Sequence, residues 1–272
     1  MALESNSDTT LFGVCLIVAY EGTDFAGYQL QPAQRTVQGE LERACAILAG
    51  HPVRVRAAGR TDAGVHALSQ IVAFDSAREI ASRGWLLGLN RHLPPDLRVQ
   101  RAVPCTAGYH PRFESLEKTY RYVLTLGVAQ NPLLRHRAYQ LGKVESLDVE
   151  RMREAARMLT GTCDYRAFRS VDDKRENTIR TLYSIDVHER HDGDPKQIAF
   201  DVRGTAFMKN MVRILAGTLV DVGRGRLPLS RVPSLLGPAA DRDDAGQTAP
   251  AQGLTLMNVT LGRRCPSPFL IS

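Results

Sequence analysis

The sequence predicts an α+β fold in which helices cover a mostly antiparallel sheet. The chain has 272 residues, 43% of them hydrophobic and 24% charged, which is typical of globular proteins and ample for a buried core. Segments with the pattern of strands outnumber those that simple βαβ units would need, which favours antiparallel pairing. The order strand, loop, helix and further strands occurs twice. This repetition predicts two pseudo-symmetric halves, residues 11–108 and 109–272, after a flexible tail over residues 1–10.

In the first half, an apolar run predicts a buried strand over Leu11–Tyr20. Thr36 precedes apolar residues at helical spacing, and Gly50 with Pro52 ends that predicted helix. The remaining elements, placed by apolar pattern and intervening turn residues, are strands at Val53–Ala58, Ser69–Phe74 and Leu97–Val103 and a helix at Ala77–Asn90.

In the second half, alternation of apolar and polar residues predicts a strand over Thr119–Leu126. A helix with one apolar face is predicted over Asp148–Leu159. Asp192–Gly193 is typical of the tight turn of a hairpin. The other predicted elements are the hairpin strands Arg180–Arg190 and Lys196–Arg203, a helix over Ala206–Val222, a flexible loop over residues 237–253 and a last strand over Leu254–Leu261.

Composition limits the class of protein. The longest apolar run, Gly13–Tyr20, is shorter than the roughly 20 residues that a membrane-spanning helix needs, and the N-terminus lacks the pattern of a signal peptide. Five cysteines without a CxxC pair are typical of a reduced protein, so we expect a cytoplasmic location. The net charge is +6, the pI is near 9.2, and 30 of the 35 basic residues are arginine. Such a charge indicates nucleic-acid binding, although a genome that favours arginine codons explains it equally well.

The segment Ala57–Phe74, AAGRTDAGVHALSQIVAF, is the strongest candidate for chemistry. A single carboxylate, Asp62, stands among small residues and glycines, with Arg60 two positions before it and His66 four after it. Flanking strands would hold such a loop rigid, as catalytic loops require. One carboxylate does not make a glycosidase pair, and no metal-ligand spacing lies nearby. The same residues also suit an ordinary turn in which Asp62 pairs with Arg60.

The stretch GRTDAGVHA, from Gly59 to Ala67, resembles the catalytic loop of the TruA family of tRNA pseudouridine synthases almost letter for letter. Further similar segments occur in the family's order, so the resemblance extends from Leu11 to Leu261. They are YEGTDFAGYQ, HPRFESLEKTYRY, GTCDYRAFRS, NTIRTLYSIDV, FMKNMVRILAGTLVDVGRG and APAQGLTLMNV.

The resemblance implies an isomerase that converts uridine to pseudouridine at positions 38, 39 and 40 of the tRNA anticodon stem-loop, without cofactor or metal. It implies a pseudouridine synthase-like fold with a central basic cleft and a homodimer that shares one tRNA. It places the family's essential carboxylate at Asp62. Whether that carboxylate adds to C1′, adds to C6 or promotes elimination stays open.

The resemblance also assigns roles to other residues. Tyr120 matches the active-site tyrosine, whose ring can stack on a flipped uracil and whose hydroxyl or phenolate can help remove the C5 proton; by pattern alone it suits ordinary strand packing. Arg213 matches the arginine that pairs with Asp62. Lys209, four residues earlier, is expected on the same polar helix face as a phosphate contact, although such a face is commonly just solvated. Arg60 is expected to contact RNA and support the flipped base; a salt bridge to Asp62 is the alternative.

Arg166 and Arg169 are further candidates for RNA contacts, beside the aromatic residues of GTCDYRAFRS. His66 lacks a second ligand, so a structural hydrogen bond is the expected role.

Two other functions remain as alternatives. A non-catalytic tRNA-binding protein would share the charge but would not need Asp62. A metal-dependent nuclease is disfavoured because the seven histidines are scattered.

Overall fold

The computed structural model describes residues 10–190 and 196–262. Most of the predicted N-terminal tail and the predicted Asp192–Gly193 turn therefore lie outside the described residues. In the first half, the strands and helices follow one another in the predicted order. They are β1 (Phe12–Tyr20), α1 (Val37–Ala49), β2 (Arg56–Ala57), β3 (His66–Ser76), α2 (Ser82–His92) and β4 (Leu97–Cys105).

Helix α1 has the ends that the sequence predicts. The Thr36 hydroxyl accepts a hydrogen bond from the Gly39 amide at 3.2 Å, and Gly50 ends the helix in the left-handed conformation with φ of 76°. Helix α2 packs on the sheet through Trp85, whose ring meets Phe74 of β3 edge to face with centroids 5.0 Å apart.

The second half begins with a short helix and holds the longer strands. Its elements are α3 (Pro111–Glu114), β5 (Ser115–Leu126), β6 (Tyr139–Leu141), α4 (Val149–Met158), β7 (Gly161–Asp164), β8 (Ile179–Arg190), β9 (Gln197–Gly204), α5 (Met211–Gly223) and β10 (Leu254–Leu261). Helix α4 buries Val149, Met152, Ala155 and Ala156 along one face, as its pattern predicts.

All ten strands of the described residues form one sheet, whose main order is β4-β1-β3-β10-β5-β9-β8-β7, with β2 on β3 and β6 on β5. The pairs are antiparallel except β10 with β3 and β6 with β5. The predicted α+β class with a mostly antiparallel sheet is thus confirmed. The last strand, β10, lies in the middle of the sheet between strands of the two chain segments, and the boundary at residue 108 stays a prediction.

Two predicted helix starts are wrong. Helix α2 begins at Ser82 and not Ala77, because the Ser76 hydroxyl bonds the backbone N–H and carbonyl of Arg78 and forms a turn there. Helix α5 begins at Met211 and not Ala206, because Asn210 is left-handed, with φ of 61°, and a right-handed helix cannot include it. Lys209 therefore precedes α5 and does not share a helix face with Arg213.

The predicted strand over Val53–Ala58 is also shorter in the structure, where only Arg56 and Ala57 pair with β3. Strand β3, by contrast, extends beyond its predicted Ser69–Phe74 to His66 at one end and Ser76 at the other. Because β3 begins at His66, the loop that holds Asp62 ends directly at the sheet.

The segment before β10, predicted as a flexible loop, contains short 3-10 turns at Arg242–Asp244 and Ala251–Gly253 and lies against α5. The Gly246 N–H donates to the Thr218 hydroxyl at 2.9 Å. A Cβ atom on Gly217 would lie 1.8 Å from the carbonyl oxygen of Gln247, so the close approach requires glycine at position 217.

Candidate active site

The loop that carries Asp62 joins β2 to β3 and is fixed by hydrogen bonds to neighbouring segments. The hydroxyls of Tyr20 and Thr61 lie 2.8 Å apart, and the Tyr28 N–H donates to the Thr61 carbonyl at 3.0 Å. On the other side of Asp62, the Val65 N–H donates to the Asp62 carbonyl at 3.1 Å. Because backbone on both sides is bonded, the loop presents its carboxylate from a rigid support.

His66 ties three distant segments together at the end of this loop. Its Nδ1 accepts from the Gly22 N–H at 2.9 Å, and its Nε2 lies 3.1 Å from the Gln252 carbonyl. These partners require the neutral tautomer with the proton on Nε2. Burial lowers the pKa of His66, while the Gln252 carbonyl and Glu21 oppose the shift. The expected structural role of His66 agrees with both contacts.

The half-buried Asp62 carboxylate reaches the N-terminus of α5. Its Oδ2 accepts a hydrogen bond from the backbone N–H of Asn210, the N-cap residue, at 3.3 Å. The N-terminus of the 13-residue helix α5, which is the positive end of the helix dipole, therefore lies beside the carboxylate.

Arg213, in the first turn of α5, lies beside the same junction. Its Nε donates to the Ala249 carbonyl and its Nη1 to Asn210 Oδ1, both at 2.7 Å. Among the described residues, Arg213 forms no direct ion pair with Asp62; Asn210 bonds to both instead. Burial lowers the pKa of Arg213, and the charge of Asp62 opposes that shift. The two charges are thus coupled, but through an intervening residue that the sequence analysis did not identify.

Tyr120, on β5, is 7% exposed, and its ring meets Phe207 edge to face with centroids 5.0 Å apart. Burial raises the pKa of Tyr120 well above its ordinary value, and Tyr20 and Asp62 add to the increase. Its hydroxyl is therefore protonated at neutral pH, so the phenolate considered from the sequence is disfavoured in the free protein. Tyr122, two residues on, is fully buried and donates to the Pro250 carbonyl at 2.8 Å.

The two cations expected at the RNA have different surroundings. Arg60 is exposed and, within the part of the chain that the structure describes, forms no ion pair, so the alternative of a salt bridge to Asp62 is not realised. Lys209 forms an ion pair with Asp172, which together with the charge of Asp62 raises the pKa of Lys209. Its backbone N–H donates to Asp173 Oδ2 at 3.2 Å.

Arg166 and Arg169 are engaged within the protein. Arg166 donates to both Asp164 Oδ2, at 2.7 and 3.0 Å, and the Pro238 carbonyl at 2.9 Å. Arg169 donates to the Arg175 carbonyl. These bonds give Arg166 in particular a structural role that the sequence does not reveal, because its partner Pro238 is 72 residues away.

Sequence reasoning missed Asn210 and Lys118. Asparagine before an apolar helical run is a signal for a helix N-cap, and it could have located Asn210. Lys118 of β5 is 9% exposed, and its Nζ donates to the Ser115 hydroxyl at 2.8 Å. Burial, with Arg112 nearby, lowers the pKa of Lys118 to about 8. Its side chain lies against Gly59, at the start of the Asp62 loop.

Over residues 10–190 and 196–262, no three His, Cys, Asp or Glu side chains come together as metal ligands would. No helix in the same residues is both long and apolar enough to cross a membrane. The four cysteines among them, Cys15, Cys45, Cys105 and Cys163, form no disulfide.

Comparison with known proteins identifies the family to which the chain is similar. A family model described as tRNA pseudouridine synthase matches residues 16–114 and 155–260. The tRNA pseudouridine synthase A of Geobacter sulfurreducens is 42% identical over 244 residues, which cover 90% of this chain and 97% of that protein. The protein of that name from Bacillus subtilis is 41% identical over 244 residues (89% and 96% covered), and that from Myxococcus xanthus is 44% identical over 244 residues (90% of each).

Fold, loop and matches together define an isomerase of the pseudouridine synthase class. The chain belongs to the tRNA pseudouridine synthase family. The resemblance inferred from the Gly59–Ala67 stretch is therefore confirmed.

Proposed function

We propose that the chain isomerises uridine to pseudouridine at positions 38, 39 and 40 of the tRNA anticodon stem-loop, and that Asp62 is its essential carboxylate. One observation carries the assignment of Asp62. Its half-buried carboxylate stands on a rigid loop and accepts the Asn210 N–H at the N-terminus of α5. A carboxylate held in this position is suited to act at an electron-poor sugar carbon.

The reaction breaks the bond between N1 of uracil and C1′ and forms a bond between C5 and C1′. Positive charge develops on the sugar and negative charge on the base as the first bond breaks. Asp62 stabilises or attacks the sugar carbon, and the cation of Arg213 compensates the negative charge that develops on the base. The hydrogen on C5 leaves as a proton after the new bond forms, and N1 acquires a proton in the product.

Tyr120 supports the base in this proposal. Its ring provides an apolar surface on which a flipped uracil can stack while the base rotates. Burial raises the pKa of Tyr120, so its hydroxyl carries a proton in the free protein. That hydroxyl can donate a hydrogen bond to the detached base. Packing of Tyr120 against Phe207 restricts the ring to one orientation and keeps water from that side.

Binding of the tRNA is assigned to exposed cations around the Asp62 loop. Arg60, which is exposed and has no ion pair with any described residue, would contact RNA and support the flipped state. Lys209 would contact a phosphate after exchanging its ion pair with Asp172, as an exposed pair allows. Arg169 is a weaker candidate for the same role. A homodimer, a central basic cleft and a cytoplasmic location complete the proposal; the first two rest on the family resemblance, and the third on the five cysteines without a CxxC pair.

The test is tritium release from unmodified tRNA that carries [5-³H]uridine. The wild-type protein is expected to release tritium, and Asp62→Asn to release none, because formation of the C5 bond must expel that hydrogen. Asp186→Asn, the same change at an exposed carboxylate on β8, is the control and is expected to retain activity. Transcripts with uridine at only one of the three positions then identify which are modified.

The alternative is a tRNA-binding module. If the wild-type protein binds several tRNAs and releases no tritium from any, that alternative replaces the isomerase proposal. Activity in Asp62→Asn equal to that of Asp186→Asn would instead remove Asp62 from the mechanism while leaving the isomerase.

A further inference from the structure

Asn210 lies at the junction of the Asp62 loop and α5 in a backbone conformation that most residues avoid. Its φ is 61° and its ψ is 2°, and among the described residues Ala33 is the other non-glycine residue with positive φ. Asparagine tolerates this left-handed region better than most side chains. In this conformation, the Asn210 N–H donates to Asp62 Oδ2, and its carbonyl accepts from the Ile214 N–H at 2.9 Å to begin the helix.

The side chain of Asn210 does not cap its own helix, although asparagine commonly does so at this position. Its Oδ1 accepts from Arg213 Nη1 at 2.7 Å, and its Nδ2 donates to the Ser170 hydroxyl at 3.1 Å. Because an arginine nitrogen only donates, the amide oxygen must face Arg213. The amide is therefore held in one orientation from both ends.

These bonds define the position of Arg213. Its Nε bonds the Ala249 carbonyl and its Nη1 bonds Asn210, so two bonds fix the plane of the guanidinium. In the stretch of chain that the structure describes, Nη2 has no hydrogen-bond partner, which leaves it available to the reacting groups.

We propose that Asn210 is a positioning residue that sets Asp62 and Arg213 relative to each other. Its backbone N–H orients the carboxylate, and its side-chain amide orients the guanidinium. It acts through these two residues and does not touch the substrate. The inference rests on the proposed function and assigns that same site a residue whose removal changes chemistry more than binding.

The first experiment compares Asn210→Gly with the matched control Ala33→Gly. Glycine keeps the left-handed backbone and the N–H to Asp62 but removes the amide that holds Arg213. The kcat for tritium release is expected to fall roughly 10- to 100-fold, with the KM for tRNA within about threefold, because a misplaced catalytic group slows the chemical step. Ala33→Gly, on an exposed loop, is expected to retain the wild-type kcat.

The second experiment separates positioning from general loss of structure by measuring Asn210→Gly again in an Arg213→Lys background. Lysine keeps a cation but cannot make both bonds of the guanidinium. If Asn210 acts through Arg213, the same change has little further effect on kcat in that background, since coupled residues are non-additive.

Three results would overturn the inference: wild-type kcat in Asn210→Gly, a loss confined to KM, or an equal fold loss of kcat in both backgrounds. Failure of the proposed function is distinguishable from all three, because in that case the wild-type protein itself releases no tritium.

Discussion

The side chains at the site are of two kinds: some are hydrogen-bonded to other parts of the protein, and others are exposed and able to contact RNA. Arg213 and Arg166 each make two or more hydrogen bonds to fixed groups, whereas Arg60 is exposed and without an ion pair among the described residues. Residue type alone does not distinguish them. An arginine whose donors are engaged supports the fold or a catalytic neighbour, and one whose donors are free can bind phosphate.

This distinction predicts opposite effects for Arg60→Ala and Arg166→Ala. Arg60→Ala should weaken tRNA binding and reduce the slope of log affinity against log salt by about 1, with unchanged stability. Arg166→Ala should leave that slope unchanged and lower the free energy of unfolding by about 1 kcal/mol, because the partly exposed bonds to Asp164 and Pro238 are lost. Binding at several salt concentrations and urea unfolding check both. An unchanged salt slope in Arg60→Ala would contradict an RNA contact.

Helix α5 shows which parts of an element can be predicted from sequence. The apolar pattern predicts that this helix is present and places its C-terminal end within one residue of the observed end, Gly223. Its start is not predicted, because the left-handed Asn210 is bonded to Asp62 and Ser170, which lie 148 and 40 residues away in the sequence. For the same reason, the family resemblance associated Arg213 with Asp62, but the sequence analysis missed Asn210, which bonds to both.

The segment before β10 shows the same limit. Its composition is that of a flexible loop, yet its backbone bonds α5 and supports Arg213 through Ala249. No local sequence pattern predicts this contact, because the close approach of the two backbones depends on glycine at position 217, which is 30 residues from Gln247. Long-range backbone contact is the information that local propensity lacks.

Gly217→Ala tests the importance of this contact. Alanine normally stabilises a helix relative to glycine by about 1 kcal/mol. Here its Cβ would overlap the Gln247 carbonyl, so we expect the free energy of unfolding to fall by about 1–3 kcal/mol. The kcat should fall as well, because the Ala249 carbonyl shifts away from Arg213. Gly142→Ala, where a Cβ meets open space, is the matched control for urea unfolding. A stabilised Gly217→Ala would show that the segment moves aside freely.

For the molecule as a whole, one sheet connects every strand of the described residues, and His66 links its centre to loops from both ends of the chain. Gly22, His66 and Gln252 are far apart in sequence but meet beside the Asp62 loop. The integrity of that loop therefore depends on the global fold and on the neutral form of one imidazole.

His66 makes stability depend on pH in a predictable direction. Burial lowers the pKa of His66 in the folded protein, so its neutral form favours folding above the unfolded-state pKa of about 6.5. As pH falls from there through the lower folded-state pKa, the folded protein must take up an unfavourable proton and stability decreases. His66→Gln has no such group, so its free energy of unfolding should change less between pH 7.5 and 5.5. Urea unfolding at both pH values measures this difference; parallel losses in the two proteins would show that other groups are responsible.

The central place of β10 has a consequence for the order in which the protein matures. Strands β3 and β5 both pair with β10, which follows every other described strand in the sequence, and the Gln252 carbonyl that bonds to His66 lies just before it. During translation, the half of the chain that carries Asp62 emerges first but has an unpaired sheet edge beside the Asp62 loop. The site is thus completed only when Leu254–Leu261 has left the exit tunnel, so a nascent chain cannot act on tRNA before that point.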